Sequence, residues 1–229
     1  MRISAKAICF GAICVATALL ASRQAWRVRR DANGNVTPYL AKDILGEADP
    51  TSSTNELGVG DLVPDCVLTN QDGKSIRIRD FRGQALAITF FFSRCPLPRY
   101  CPRMNRSFAA MQQALKRDRT RTNWQLLSIS FDPDFDTPER LGAVARDFQF
   151  DARHWNFATS SMTEIVKIGQ PFGLEFKEDN GSLSHNLRTV VVTPLGRVQR
   201  VFKGNKWQAE ELIAEMAKAI SSRQNPRRQ

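Results

Sequence analysis

The chain has only two histidines, and among its five cysteines there is no pair at the two-residue spacing of disulfide-exchange enzymes. No second cysteine pair accompanies Cys95 and Cys101, so a closed four-ligand zinc site has too few donors. No threonine or serine lies three positions before Cys95 behind an upstream proline, which leaves a peroxidase of the peroxiredoxin type a remote alternative. Internal repeats and low-complexity tracts are also missing.

Acids are absent from both ends, and this decides how the net charge of +10 is read. Residues 1–30 carry Arg2, Lys6, Arg23, Arg27, Arg29 and Arg30, and residues 223–229 carry Arg223, Arg227 and Arg228, with no Asp or Glu in either stretch. Taking those nine from the 33 basic residues leaves 24, against 23 acidic ones. A nucleic-acid reader concentrates charge on its folded face. This body is near neutral, which excludes nucleic acid as a partner.

Residues 7–21, AICFGAICVATALLA, form an uncharged apolar run behind the basic MRISAK segment, the pattern of an export signal. The run is short for a span of roughly 20 residues. The following SRQAWRVRR offers no small-x-small cleavage site, and its basic residues oppose translocation. The expectation is an uncleaved inner-membrane anchor over residues 1–30 with the body in the periplasm, and a cleaved signal as the alternative. Cys9 and Cys14 follow no small residue of the kind a lipoprotein cysteine needs, and are read as packing residues. Residues 31–58 are polar and turn-rich, a spacer between membrane and domain. The folded domain is expected over 59–222, with 223–229 a solvated basic tail.

Along the domain the signals alternate. LVPDCVLTNQDGKSIRI gives two short strands joined at NQDG, and Cys66 within it reads as a small buried hydrophobe. ALAITFFF (85–92) and WQLLSISF (124–131) are continuous apolar runs, as strands buried on both faces should be. Between them Met104, Phe108, Met111 and Leu115 recur at helical spacing. Asp136, Pro138 and Glu139 open a second helix, and Ser161 with Glu164 opens another. LRTVVVTPLGRVQRVF is a hairpin turning at TPLG, and the last helix is expected near 207–221. This is a mixed α/β order with a parallel centre and antiparallel edge, the thioredoxin-like arrangement. It sets the loop SRCPLPRYCP after a central strand, at the amino end of the first long helix.

Cys101 precedes Pro102, which suits a first helical position, so Cys101 is expected to cap the helix with its thiolate favoured by the dipole. A structural disulfide between Cys95 and Cys101 would close too short a loop to remove much chain entropy. Two thiolates in a loop stiffened by prolines suit copper(I), zinc or a cluster. His154, beside Trp155 in a polar connection, reads as structural. His185 lies in a turn-rich loop that the topology brings toward the thiols, and two sulfurs with one imidazole serve both copper(I) and copper(II). Asp132, Asp134 and Asp136 read as a loop and helix cap rather than a hard-metal site, and Met104 as core.

The region from GDLVPD to FKGNKW resembles the Sco/SenC family through FFFSRCPLPRYCP, LLSISFDPDFDTPERL and SHNLRTVVVTPLGRV. The resemblance implies a thioredoxin-like, membrane-anchored, extracytoplasmic protein that binds copper and takes part in assembling the dinuclear copper centre of cytochrome oxidase. Its copper ligands fall on Cys95, Cys101 and His185, and its aspartate element on Asp132, Asp136, Thr137 and Pro138. The usual family loop has three residues between the cysteines, whereas this one has five. The expected role is copper delivery to an oxidase subunit or another cuproprotein. The alternative is a thiol–disulfide reductase in which Cys95 and Cys101 act on the acceptor's cysteines.

Overall fold

The computed structural model describes residues 56–222 apart from 180 and 181, with the backbone alone at 178, 179 and 182. The expected anchor, most of the spacer and the basic tail lie outside the described residues. Among the described residues, no helix is long and apolar enough to cross a membrane.

Seven strands form one mixed sheet in the order β2-β1-β5-β4-β3-β8-β9. Strands β1 (Val67–Asn70) and β2 (Ser75–Arg77) make the expected hairpin at one edge. At the centre, β3 (Ala85–Phe91) pairs in parallel with β4 (Trp124–Ser130), and β4 with β5 (Trp155–Thr159). The last hairpin, β8 (Arg188–Val192) and β9 (Val198–Lys203), adds antiparallel to β3. Its turn closes at TPLG, where Gly196 has φ +73° and its N–H bonds to the Thr193 carbonyl at 2.8 Å. A residue with a side chain would be strained in that left-handed conformation.

Every residue of β3 is buried, as its unbroken apolar run requires of a strand covered on both faces. Helix α1 (Cys101–Arg117) turns Met104, Phe108, Met111 and Leu115 onto the sheet. It is fixed there by a buried polar chain in which Ser128 Oγ bonds to Asn105 Oδ1 and Trp155 Nε1 donates to Ser128 Oγ. Helix α4 (Ala209–Ser222) packs beside α1 over β3 and β8. Helix α2 (Pro138–Asp147) lies against β5 and β1, and α3 (Met162–Gly169) leads into a 3-10 turn at Gln170–Phe172.

Two elements depart from the expected order. The stretch after His154, read as a polar connection, enters β5, whose Trp155, Phe157, Ala158 and Thr159 are buried. Its five residues are too few for periodicity to announce a strand. The turn-rich loop before the last hairpin is itself a hairpin, β6 (Phe176–Asp179) paired with β7 (Ser182–His185). The Asn180-Gly181 dipeptide between those strands was its sequence signal. Residues 56–58, assigned to the spacer, hold to the body through Leu57 N–H on the Pro171 carbonyl at 2.7 Å and Glu56 paired with Lys203.

Candidate metal centre

The site lies beyond the carboxyl ends of β3 and β4, where open α/β sheets leave room for ligands. The sulfurs of Cys95 and Cys101 and a ring nitrogen of His185 all lie within 4.8 Å of one another. The backbone therefore gathers the three residues singled out from sequence, and both cysteines are free thiols. Cys101 Sγ is 3.3 Å from His185 Nε2.

His185 is aimed by its own neighbour. Nδ1 is 2.7 Å from the Asn186 carbonyl oxygen, which can only accept, so Nδ1 carries the proton and Nε2 turns its lone pair to the sulfurs. The ring is boxed by Phe131 at 4.9 Å, Phe92 at 5.6 Å and Tyr100 at 6.1 Å between centroids. Across the small hairpin His185 is in register with Phe176, whose ring stacks on Phe131 at 5.1 Å. That stacked pair docks the hairpin against the body and fixes the height of the imidazole. None of these aromatics was recognised from sequence, because each reads as an ordinary core residue.

The helix begins one residue earlier than expected. Tyr100 is the N-cap, and Cys101 is the first helical residue, nearly buried. This corrects the assignment of the thiolate. The Cys95 thiol is lowered to about 4, chiefly by the hydrogen bond from Cys101, against burial that raises it; His185 and the backbone at Leu97 and Cys101 lower it further. Cys101 is pushed up, first by its bond to Cys95, then by burial and the Cys95 charge. The thiolate therefore sits on Cys95, in front of the helix, rather than on the helix's own first residue. Cys66 is fully buried just before β1, and burial raises its thiol to about 12.

Two buried carboxylates hold the root of the cysteine loop. Asp136 was expected to cap α2, but Thr137 does so, its hydroxyl accepting from Arg140 N–H at 3.4 Å. Asp136 instead accepts from the Ser93 N–H at 3.0 Å and from the hydroxyls of Ser93 and Ser130. Burial raises its carboxyl, and those bonds oppose the rise. Asp132, fully buried, receives Arg94 Nε at 2.7 Å. Ser93 and Arg94 immediately precede Cys95, so two of the acids read as a loop and helix cap, Asp132 and Asp136, are its anchors; only Asp134 of the three is exposed. Further along, Arg106 donates to the Pro98 carbonyl at 2.6 Å and Asn205 to the Arg99 carbonyl at 2.9 Å. Met104 is core, with Thr189 Oγ1 3.9 Å from its sulfur. His154 stacks on Trp124 at 4.1 Å, well away from the thiols at the amino ends of the parallel strands.

A mixed sheet with this helix order, and two cysteines at the amino end of its first long helix, defines a thioredoxin-like protein. More particularly, the sequence profile of the SCO1/SenC family matches residues 55–221, and the chain belongs to that family. It is 27% identical over 139 residues to the SCO1 protein homolog of Bacillus subtilis, covering 59% of this chain and 70% of that one. A SCO1/SenC family lipoprotein from Bacillus anthracis superposes with TM-score 0.62 at 28% identity, over 75% of this chain and 99% of that one. ScoI of Arabidopsis thaliana, solved with copper bound, superposes with TM-score 0.60 at 21% identity, over 73% and 100% of the two chains.

Proposed function

We propose that the chain is an extracytoplasmic copper carrier, membrane-anchored through residues 1–30, that takes one copper ion as cargo on Cys95, Cys101 and His185 and delivers it to an oxidase subunit or another cuproprotein. The observation that carries this reading is the convergence of two sulfurs and one imidazole nitrogen within 4.8 Å. Cys95 is held as a thiolate ready to engage a soft ion. Cys101 enters as a thiol and gives up its proton when the metal arrives. The Nδ1–H bond to Asn186 leaves Nε2 free as the third donor. Three donors leave room for an acceptor's ligand to enter before the carrier's own ligands leave, which suits exchange rather than storage.

Titration of the full chain with copper(I) against a competing chelator tests this. Wild type is expected to bind one equivalent, and His185→Ala to lose roughly a hundredfold or more in affinity. Equal binding by wild type and His185→Ala would reject the three-donor site.

A second reading keeps the same pair as a thiol–disulfide reductase. A half-buried thiolate beside a buried thiol supports it: Cys95 attacks an acceptor disulfide, and Cys101 resolves the mixed disulfide, giving up two electrons in all. The reduction potential separates the readings. A value well below about −300 mV would leave the oxidised pair too stable to be turned over by ordinary exchange partners.

A further inference from the structure

The five residues between the cysteines, Pro96 to Tyr100, are all exposed, with Leu97 at 50% and Tyr100 at 36%. Pro96, Leu97 and Tyr100 border an open pocket of about 260 Å³ that Cys95, Leu183 and His185 also line. Monomeric proteins show large apolar side chains singly, but these are contiguous with the chemistry. From Ser93 to Arg117 there is no acid, and besides Arg94, whose charge is met by Asp132, the stretch carries Arg99, Arg103 and Arg106 ahead of the last turn, then Lys116 and Arg117. The first turn of α1 has no acidic residue either. Helix N-termini favour acids and disfavour cations, so helix stability does not account for this arrangement. Lys206, exposed beside the Asn205 that holds the Arg99 carbonyl, extends the same charge.

On the reading that the site delivers copper, we propose that this apolar tip with its cationic border docks an acidic loop of the acceptor, one with an apolar residue for the pocket and its own cysteine and histidine ligands behind it. Opposite charge brings the loop in, and the pocket sets its register. Copper(I) then passes from Cys95 and Cys101 to the acceptor's sulfurs without change of oxidation state. Of the two protons the acceptor thiols give up, one returns to Cys101 and the other goes to solvent, and Cys95 is left as the thiolate it was before loading.

The test uses the copper(I)-loaded full chain and two synthetic peptides. Each peptide carries two cysteines, one histidine and one leucine; glutamates flank the ligands in one, lysines in the other. The acidic peptide is expected to take copper at least about tenfold faster at roughly 0.01 M salt, with the advantage gone near roughly 1 M. In the double variant Arg99→Glu, Lys206→Glu the preference should reverse while the bound copper stays at the wild-type level. Equal rates for both peptides would overturn the docking surface and leave delivery standing. Transfer to neither would overturn delivery, and the docking surface with it. A double variant altered only in oligomeric state would assign this face to a second copy of the chain and also overturn the proposal.

Discussion

The two histidines occupy opposite ends of the parallel strands, and each has Nδ1 at a backbone carbonyl: His185 at Asn186, 2.7 Å away, and His154 at Trp124, 3.2 Å away. Each also lies against aromatic rings. The difference is in what faces the other nitrogen. At His185 it is a sulfur 3.3 Å away, with a second close by. At His154 the neighbouring pocket is lined by Lys116, Asp118, Arg119, Arg121 and Arg153, of which Lys116 and Arg153 pair with Asp151 and Arg121 with Asp118, and none of its lining residues carries a sulfur. An oriented imidazole is therefore not yet a ligand. Among the described residues, the carboxyl-end loops hold a cluster of two thiols and an imidazole, whereas the amino-end imidazole stands among ion-paired side chains.

The widest separation between the two ends is expected in copper binding: His185→Ala loses roughly a hundredfold or more, whereas His154→Ala stays within about twofold in the same chelator competition. Next is Phe131→Ala, which removes the floor shared by His185 and Phe176. Denaturant unfolding is expected to show a loss of about 3 kcal/mol for this buried ring, with copper affinity falling alongside. Asp136→Ala leaves Ser93 and Ser130 without their buried acceptor. It should cost about 2 kcal/mol and loosen the loop enough to lower copper affinity about tenfold.

Thiol reactivity contrasts the site with the core. With its thiol lowered to about 4, Cys95 is a thiolate across the neutral range. Its alkylation by iodoacetamide should be flat with pH there and slow only as the pH falls through about 4, while Cys66, raised to about 12 and buried, stays unreacted until the protein unfolds. The sign for stability follows from the same shift. The folded thiol sits below its ordinary value of 9.0, so it binds fewer protons than the unfolded one between those limits, and its contribution is lost as pH falls toward 4. The smallest effect is His154→Ala on stability, about 1 kcal/mol for the lost stack on Trp124.

The parts legible in the sequence are those with a local signature. The apolar runs of β3 and β4, the helical spacing of α1 and the turn at TPLG each announce an element within a dozen residues. Short β5 does not, because it is specified by neighbours in space, and the β6–β7 hairpin announces itself only through the Asn180-Gly181 dipeptide, its strands being short and polar. For the site, scarcity helped: with two histidines and one suitable cysteine pair, topology alone could bring His185 forward. Its supports were hidden because Ser93 meets Asp136 across 43 positions and Arg94 meets Asp132 across 38. No pattern of local spacing encodes such pairs. The assignment of the thiolate turned on a single residue at the start of α1, which is finer than capping preferences resolve.

The stretch from Pro96 to Tyr100 is pinned at its root by Ser93 and Arg94 and at its crown by Arg106 and Asn205. Its extra length therefore arches away from the body instead of pushing the sulfurs apart. Number of residues and sulfur separation become independent variables. Such a lineage can rewrite the arch and leave the three donors where they are.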